Sequence, residues 1–145
     1  MTKITRVEIH EFGFDIPNLG NLTGADSVGA IGYMKGAVSR IEKFALVIIT
    51  EDGCRGEYVT HWCSTPSTCA QAKTLAPKLI GRHAEEREGI YDDMKRELRQ
   101  FDHMGQGPID IALWDWAGKH LDCSVSVLLG GYRKKLPAYA STYHG

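Results

Sequence analysis

The sequence has no long apolar run. Its longest, residues 44–49, is far too short to span a bilayer. It has no excess of one charge either: 17 Lys and Arg stand against 18 Asp and Glu, a net charge of −1. Without a basic field there is nothing to hold nucleic acid or an anionic membrane, so both are excluded as expected partners. The first residues, Met1-Thr2-Lys3-Ile4-Thr5-Arg6, lead into no apolar core of a signal peptide, and the cytoplasm is the expected location. Cysteine is sparse, and Cys54, Cys63, Cys69 and Cys123 form no Cys-x-x-Cys pair. A zinc site would need His61, Cys63 and Cys69 to converge with a fourth ligand; four reduced thiols, some buried as small hydrophobes, is the simpler reading. There is no Gly-x-x-x-x-Gly-Lys-Ser/Thr phosphate loop, no internal repeat and no low-complexity tract. What remains, with 145 residues, 43% hydrophobic and 24% charged, is an ordinary globular composition of one domain's length.

Patterning divides the chain. Residues 3–12 alternate loosely, Val7 and Ile9 against Arg6, Glu8 and His10, as a half-buried strand does. Residues 13–36 carry Gly13, Gly20, Gly24, Gly29, Gly32 and Gly36 with no apolar period and read as a long flexible loop. Such loops are uncommon in compact domains and are often lids; the alternative is a poorly packed insertion. Residues 40–51 form the clearest strand, its unbroken apolar run predicting burial on both faces. Glu51-Asp52-Gly53 signals a turn, and residues 54–60 return as its hairpin partner. Thr65-Pro66 opens a helix that runs to about residue 80 and ends at Gly81, with a break near Thr74 imposed by Pro77. A second helix over 84–100 has an apolar stripe of Ile90, Met94 and Leu98.

Pro108 opens a third helix, residues 108–119, that is apolar on almost every side. Ile109, Ala112, Leu113, Trp116 and Ala117 line one side, and Ile111 and Trp114 cover much of the other. Asp110 and Asp115 are the exceptions. A withdrawn carboxylate needs donors, so each is a hydrogen-bond acceptor or lies at a domain junction. Catalysis ranks last, because the two point about 140° apart at about 100° per residue. A short helix over 124–129, with Ser124 as N-cap, is closed by Gly130-Gly131, and residues 136–142 read as a strand. The layout is α+β: a three-stranded antiparallel meander followed by a helical bundle packed on one face.

The run Gly107-Pro108-Ile109-Asp110-Ile111-Ala112-Leu113-Trp114-Asp115, then Gly118-Lys119, Val127-Leu128-Leu129-Gly130-Gly131 and Leu136-Pro137-Ala138-Tyr139-Ala140-Ser141, resembles the N-terminal capping domain of the enolase superfamily, in its mandelate racemase and muconate lactonizing enzyme branch. Leu75-Ala76-Pro77-Lys78-Leu79-Ile80-Gly81 and Gly53-Cys54-Arg55-Gly56-Glu57 are similar to weaker signatures of that family. The resemblance covers the whole chain. One departure is local: Val125 stands where relatives often have proline.

The resemblance implies an enolase N-terminal-like capping domain over residues 1–131. Residues 132–145 are then a linker and the first strand of a truncated (β/α) barrel, the rest of which is missing from this sequence. In the family the barrel holds one Mg²⁺ on three carboxylates and abstracts the proton alpha to a substrate carboxylate. The implied enzyme is a racemase or acid-sugar dehydratase, a homo-oligomer at full length, acting on a small-molecule carboxylate such as a hydroxy acid or sugar acid. No residue here is assigned to catalysis or to the metal. The cap would set specificity through two loops, residues 16–33 and 58–64. Candidate substrate contacts are Leu19, Leu22, Val28, Ile31 and Tyr33 in the first, and Tyr58, His61 and Trp62 in the second, with Trp62 equally able to pack on the helices. Ser141 and Tyr143 join them by the rule that barrel sites lie at strand C-termini. The competing reading is a stand-alone, non-catalytic binding module of the same fold.

Overall fold

The computed structural model describes residues 1–21, 31–61 and 65–139. Three strands, β1 (Ile4–Asn21), β2 (Ile31–Thr50) and β3 (Arg55–Val59), form one antiparallel sheet in the order β1-β2-β3. Four helices follow: α1 (Thr65–Leu75), α2 (Arg87–Glu97), α3 (Gln106–His120) and α4 (Val125–Leu128). Among the described residues no helix is long and apolar enough to cross a membrane. The chain separates into two compact units. One comprises Met1–Glu11 with Lys43–Tyr132, and the other Phe12–Glu42 with Arg133–Gly145.

In the first unit the core is built where the strand and helix periods meet. Phe44, Leu46 and Ile48 are fully buried beside Leu75, Ile90, Ile109, Leu113 and Trp116. The opposite face of β2 is covered less evenly than its apolar run implies: Val47 is buried, while Ala45 and Ile49 are half-buried. Register pairs Ala45 with Val59 and Ile49 with Arg55. Gly53 takes φ +82° in the connecting turn, and its N–H donates to the Thr50 carbonyl at 2.9 Å.

The helix break near Pro77 is present: α1 ends at Leu75 and a 3-10 turn, Ala76–Leu79, carries the proline. α2 starts three residues later than its periodicity predicts. Residues 81–84 are committed instead to the start of β1. Ile4 N–H donates to the Arg82 carbonyl, Gly81 N–H to the Ile4 carbonyl and Ala84 N–H to the Thr2 carbonyl, all at 2.8–2.9 Å. Backbone already paired that way cannot turn into helix.

Three further expectations change. Residues 13–21 and 31–36 are strand and not loop, so β1 and β2 extend as a two-stranded ribbon in the second unit. Residues 136–139 have no regular structure, and Leu136 and Tyr139 are 68% and 89% exposed. A strand needs a hydrogen-bonded neighbour, and the sheet order contains none for this segment. Ser124 holds the N-cap position of α4, but its hydroxyl bonds Ser126 Oγ at 3.0 Å and caps no backbone N–H.

The ribbon's glycines serve close packing and sharp turning. A Cβ on Gly20 would come within 2.9 Å of Met34 Sδ and 3.1 Å of Ala37 Cβ. Asn18 (φ 57°) and Gly36 (φ 81°) are both left-handed, and Gly36 N–H donates to Asn18 Oδ1 at 2.9 Å. Left-handed residues inside strands mark the bulges that bend and twist a ribbon. Arg40 on β2 ties the two strands by pairing with Asp15 of β1 at 3.3 Å, and it also pairs with Glu42 on its own strand at 2.8 Å.

Candidate functional site

The candidate contacts fall in two places, one in each unit. At the far end of the ribbon, where β1 leaves and β2 returns, Leu19 and Ile31 are half-buried and Tyr33 is 65% exposed. The Leu19 carbonyl accepts the Ser39 hydroxyl at 2.8 Å, which fixes the backbone on which its side chain stands. After β3, Tyr58 packs its ring on Phe44, with centroids 6.2 Å apart and planes tilted by 59°. Tyr58 is thus held by the core, and only part of it is open to a ligand. His61 is exposed, and its carbonyl accepts the Thr65 hydroxyl at 3.1 Å at the start of α1. Leu22, Val28, Trp62, Ser141 and Tyr143 lie outside the described residues.

Below the second group, α3 is fastened to β3 through contacts that spacing alone does not show. Glu57 N–H donates to Asp115 Oδ2 at 2.8 Å, and Lys119 Nζ bridges Asp115 at 2.7 Å and Glu57 at 3.0 Å. Asp115 is therefore an acceptor that covers the outer edge of β3. The buried Trp116 Nε1–H donates to Thr50 Oγ1 at 2.9 Å. Thr50 in turn donates to Asp52, whose carboxylate pairs with His120 at 3.1 Å. His120 stacks on Trp116, centroids 4.6 Å apart, and closes the circuit. The Thr50 hydroxyl bond, foremost, holds the Asp52 carboxyl below the usual carboxylate range, against the opposing effect of burial. Only the Asp115 to Lys119 spacing of i, i+4 was readable as a pair in the sequence.

Two chemistries lack their parts among the described residues. No three His, Cys, Asp or Glu side chains cluster there to hold a metal ion, so no described residue is assigned to magnesium or zinc. Cys54, Cys69 and Cys123 are free thiols. Burial, first of all, pushes the Cys54 and Cys69 thiols up and away from the thiolate. A crevice of about 300 Å³ has an apolar floor of Leu75, Leu79, Ile90 and Met94. Its charges are spent on one another, Lys78 with Glu97 at 2.7 Å and Arg82 with Asp93 at 2.8 Å.

Comparison with known proteins adds what geometry alone does not hold. Residues 33–130 match the model of the mandelate racemase/muconate lactonizing enzyme N-terminal domain. The chain belongs to this family. The chain is 32% identical over 106 residues to arabinonate dehydratase of Saccharolobus solfataricus, spanning 68% of this chain and 28% of the relative. It is 41% identical over 113 residues to D-galactarolactone cycloisomerase of Agrobacterium fabrum, spanning 72% and 30%. The crystal structure of L-talarate dehydratase from Polaromonas sp. JS666, complexed with Mg and L-glucarate, superposes with a TM-score of 0.66 at 26% identity, over 92% of this chain and 36% of that one. The chain thus spans about a third of the length of the relatives it matches. These relatives are dehydratases and a cycloisomerase of acid sugars, and the fold is the capping domain that the sequence motifs imply.

Proposed function

We propose that this chain is the substrate-closing cap of an acid-sugar dehydratase or cycloisomerase. The single observation behind this reading is the family match over residues 33–130, shared with relatives named for acid-sugar dehydration and lactone isomerisation. The reaction is removal of the proton alpha to a substrate carboxylate, carried out by residues beyond those described. Magnesium, with which the talarate dehydratase was crystallised, belongs to that same part.

The contribution of this chain is recognition and exclusion of water. Leu19 and Ile31 supply apolar cover at the ribbon end, and Tyr33 a hydroxyl that remains exposed. His61 and the open part of Tyr58 offer polar contacts to a hydroxylated substrate. Expelling water strengthens every electrostatic interaction around a developing carbanion. Leu22, Val28, Trp62, Ser141 and Tyr143 remain part of the proposed contact set, and the working enzyme is a homo-oligomer acting in the cytoplasm.

The test uses the polypeptide that contains this chain, loaded with Mg²⁺ and incubated in D₂O with aldonates, aldarates and their lactones. Deuterium entering at the alpha carbon, with a dehydrated or isomerised product, is the expected result. Magnesium bound but no exchange on any acid of that panel would sink the reading. Tyr33→Ala and His61→Ala are expected to raise KM about tenfold with a smaller change in kcat, as removal of uniform binding does.

A further inference from the structure

Among the described residues only two other than glycine take a positive φ, Asn18 at 57° and Asp122 at 47°. Asp122 follows the end of α3, where chains commonly turn left-handed. Asn18 stands inside β1, where extended backbone is the rule. Asparagine enters the left-handed region more readily than most residues, because its short side chain can bond nearby backbone. Here it bonds across the ribbon. Asn18 Oδ1 accepts the Gly36 N–H at 2.9 Å, and Gly36 is itself left-handed at φ 81°. One residue on, the Leu19 carbonyl accepts the Ser39 hydroxyl at 2.8 Å. At Gly20 a Cβ would already press on Met34 and Ala37. Two side-chain bonds and one close approach thus hold three successive residues of β1 against β2.

The buried core cluster draws no residue from 12–42, and Asn18 and Gly36 are exposed. The bend therefore fixes a shape and not a core. Backbone held in a sparsely populated region persists where the surroundings over-determine it, and such residues gather where ligands are met. The candidate contacts of this unit stand on the bend and just beyond it. Leu19 is the neighbour of Asn18, and Tyr33 lies three residues before Gly36. At about 3.3 Å per residue, Tyr33 is on the order of 10 Å along the strand from Gly36. A change of about 20° in local twist would carry it roughly 3 Å, more than a hydrogen bond tolerates.

We infer that Asn18 is a positioning residue for substrate recognition. Its left-handed backbone and its bond to Gly36, seconded by the bond from Ser39 to Leu19, set where Leu19 and Tyr33 stand. The inference rests on the cap reading above, in which those two side chains meet the substrate.

The test uses the Mg²⁺-loaded polypeptide that contains this chain, with whichever acid of the panel the wild type turns over. Asn18→Val, a β-branched residue unsuited to the left-handed region, should raise KM about tenfold and leave kcat within about twofold. Asn18→Gly keeps the backbone and loses the acceptor, and should raise KM about fivefold. Asn18→Asp keeps both and should restore the wild-type KM. In a Tyr33→Ala background Asn18→Gly should cost about twofold or less, because the side chain it positions is already gone. A merely structural role would lower kcat with the fraction folded and leave KM and this coupling unmoved. An unchanged KM in Asn18→Val, a fall in kcat and melting temperature alone, or a fivefold cost that persists in full without Tyr33 would overturn the assignment while the cap reading stands. A wild type that turns over no acid of the panel would sink the cap reading, and this inference with it.

Discussion

The same two strands lead different lives in the two units. In the first, β2 places Phe44, Leu46 and Ile48 in a closed core, and β3 lies so close on α3 that Gly56 has no room for a side chain. In the second, β1 and β2 leave Phe12, Phe14, Tyr33, Met34 and Val38 exposed, and the backbone is held by the Asn18 to Gly36 bond and by Arg40. The difference is the presence of α3 behind one stretch and, among the described residues, of no helix in the unit containing the other. A two-stranded ribbon is marginal on its own, which suits an element whose proposed work is to meet a ligand.

The largest test of that contrast is Gly56→Ala. Its Cβ would come within 2.0 Å of the Ala112 carbonyl oxygen and 2.6 Å of Trp116 Cβ, so β3 must leave α3. A loss of about 3 kcal/mol or more is expected in urea unfolding. Gly13→Ala in the ribbon meets chiefly the far end of the Arg40 side chain, at 2.9 Å, which can move. Its cost should stay below about 1 kcal/mol. Equal costs at the two glycines would abolish the distinction between the units.

Next in size is Trp116→Phe. It removes the buried N–H that Thr50 accepts and part of the ring on which His120 stacks. About 2 kcal/mol should be lost by thermal or chemical melting. A cost near zero would mean that the Thr50, Asp52 and His120 circuit does not fasten the turn to α3.

A smaller effect is expected with pH. The folded pKa of Asp52 is lowered, mainly by the Thr50 hydroxyl, so its contribution to stability is present above its unfolded value of 3.8 and is lost as pH falls through the folded pKa. Asp110 runs the other way: burial raises its folded pKa, so its ionisation costs stability as pH rises through that value. Stability-pH curves should therefore flatten at the acid end in Asp52→Asn and show no late decline in Asp110→Asn. Identical curves for both variants and the wild type would remove the assigned causes.

The smallest expected change is Phe14→Ser in the ribbon, within about 0.5 kcal/mol of wild type by urea unfolding of the first unit. A large loss there would show that the ribbon's exposed aromatics support the core.

Much was legible before any coordinates. The buried side of α3, Ile109 with Ala112, Leu113, Trp116 and Ala117, follows from helical spacing, and the break at Pro77 from a ring that removes a donor. Both are local rules acting along one segment. The ribbon was not legible, because glycine weakens strand propensity and its use in Gly20, against Met34 and Ala37, appears only once a second strand is beside it. The start of α2 depended on residues 81–84 pairing with β1, eighty positions earlier in the chain. The two loops proposed to meet substrate could be named from the family motifs, but that Tyr58 leans on Phe44 could not.

The sequence by itself determined the family, the three strands followed by four helices, and which side of α3 would be buried, since motif, period and turn residues are properties of neighbouring positions. Tertiary structure decided where glycine is obligatory, which donor meets Asp115, and that Arg87 stands over the Trp114 ring. Those outcomes depend on distances between segments far apart in the chain, and packing sets those distances.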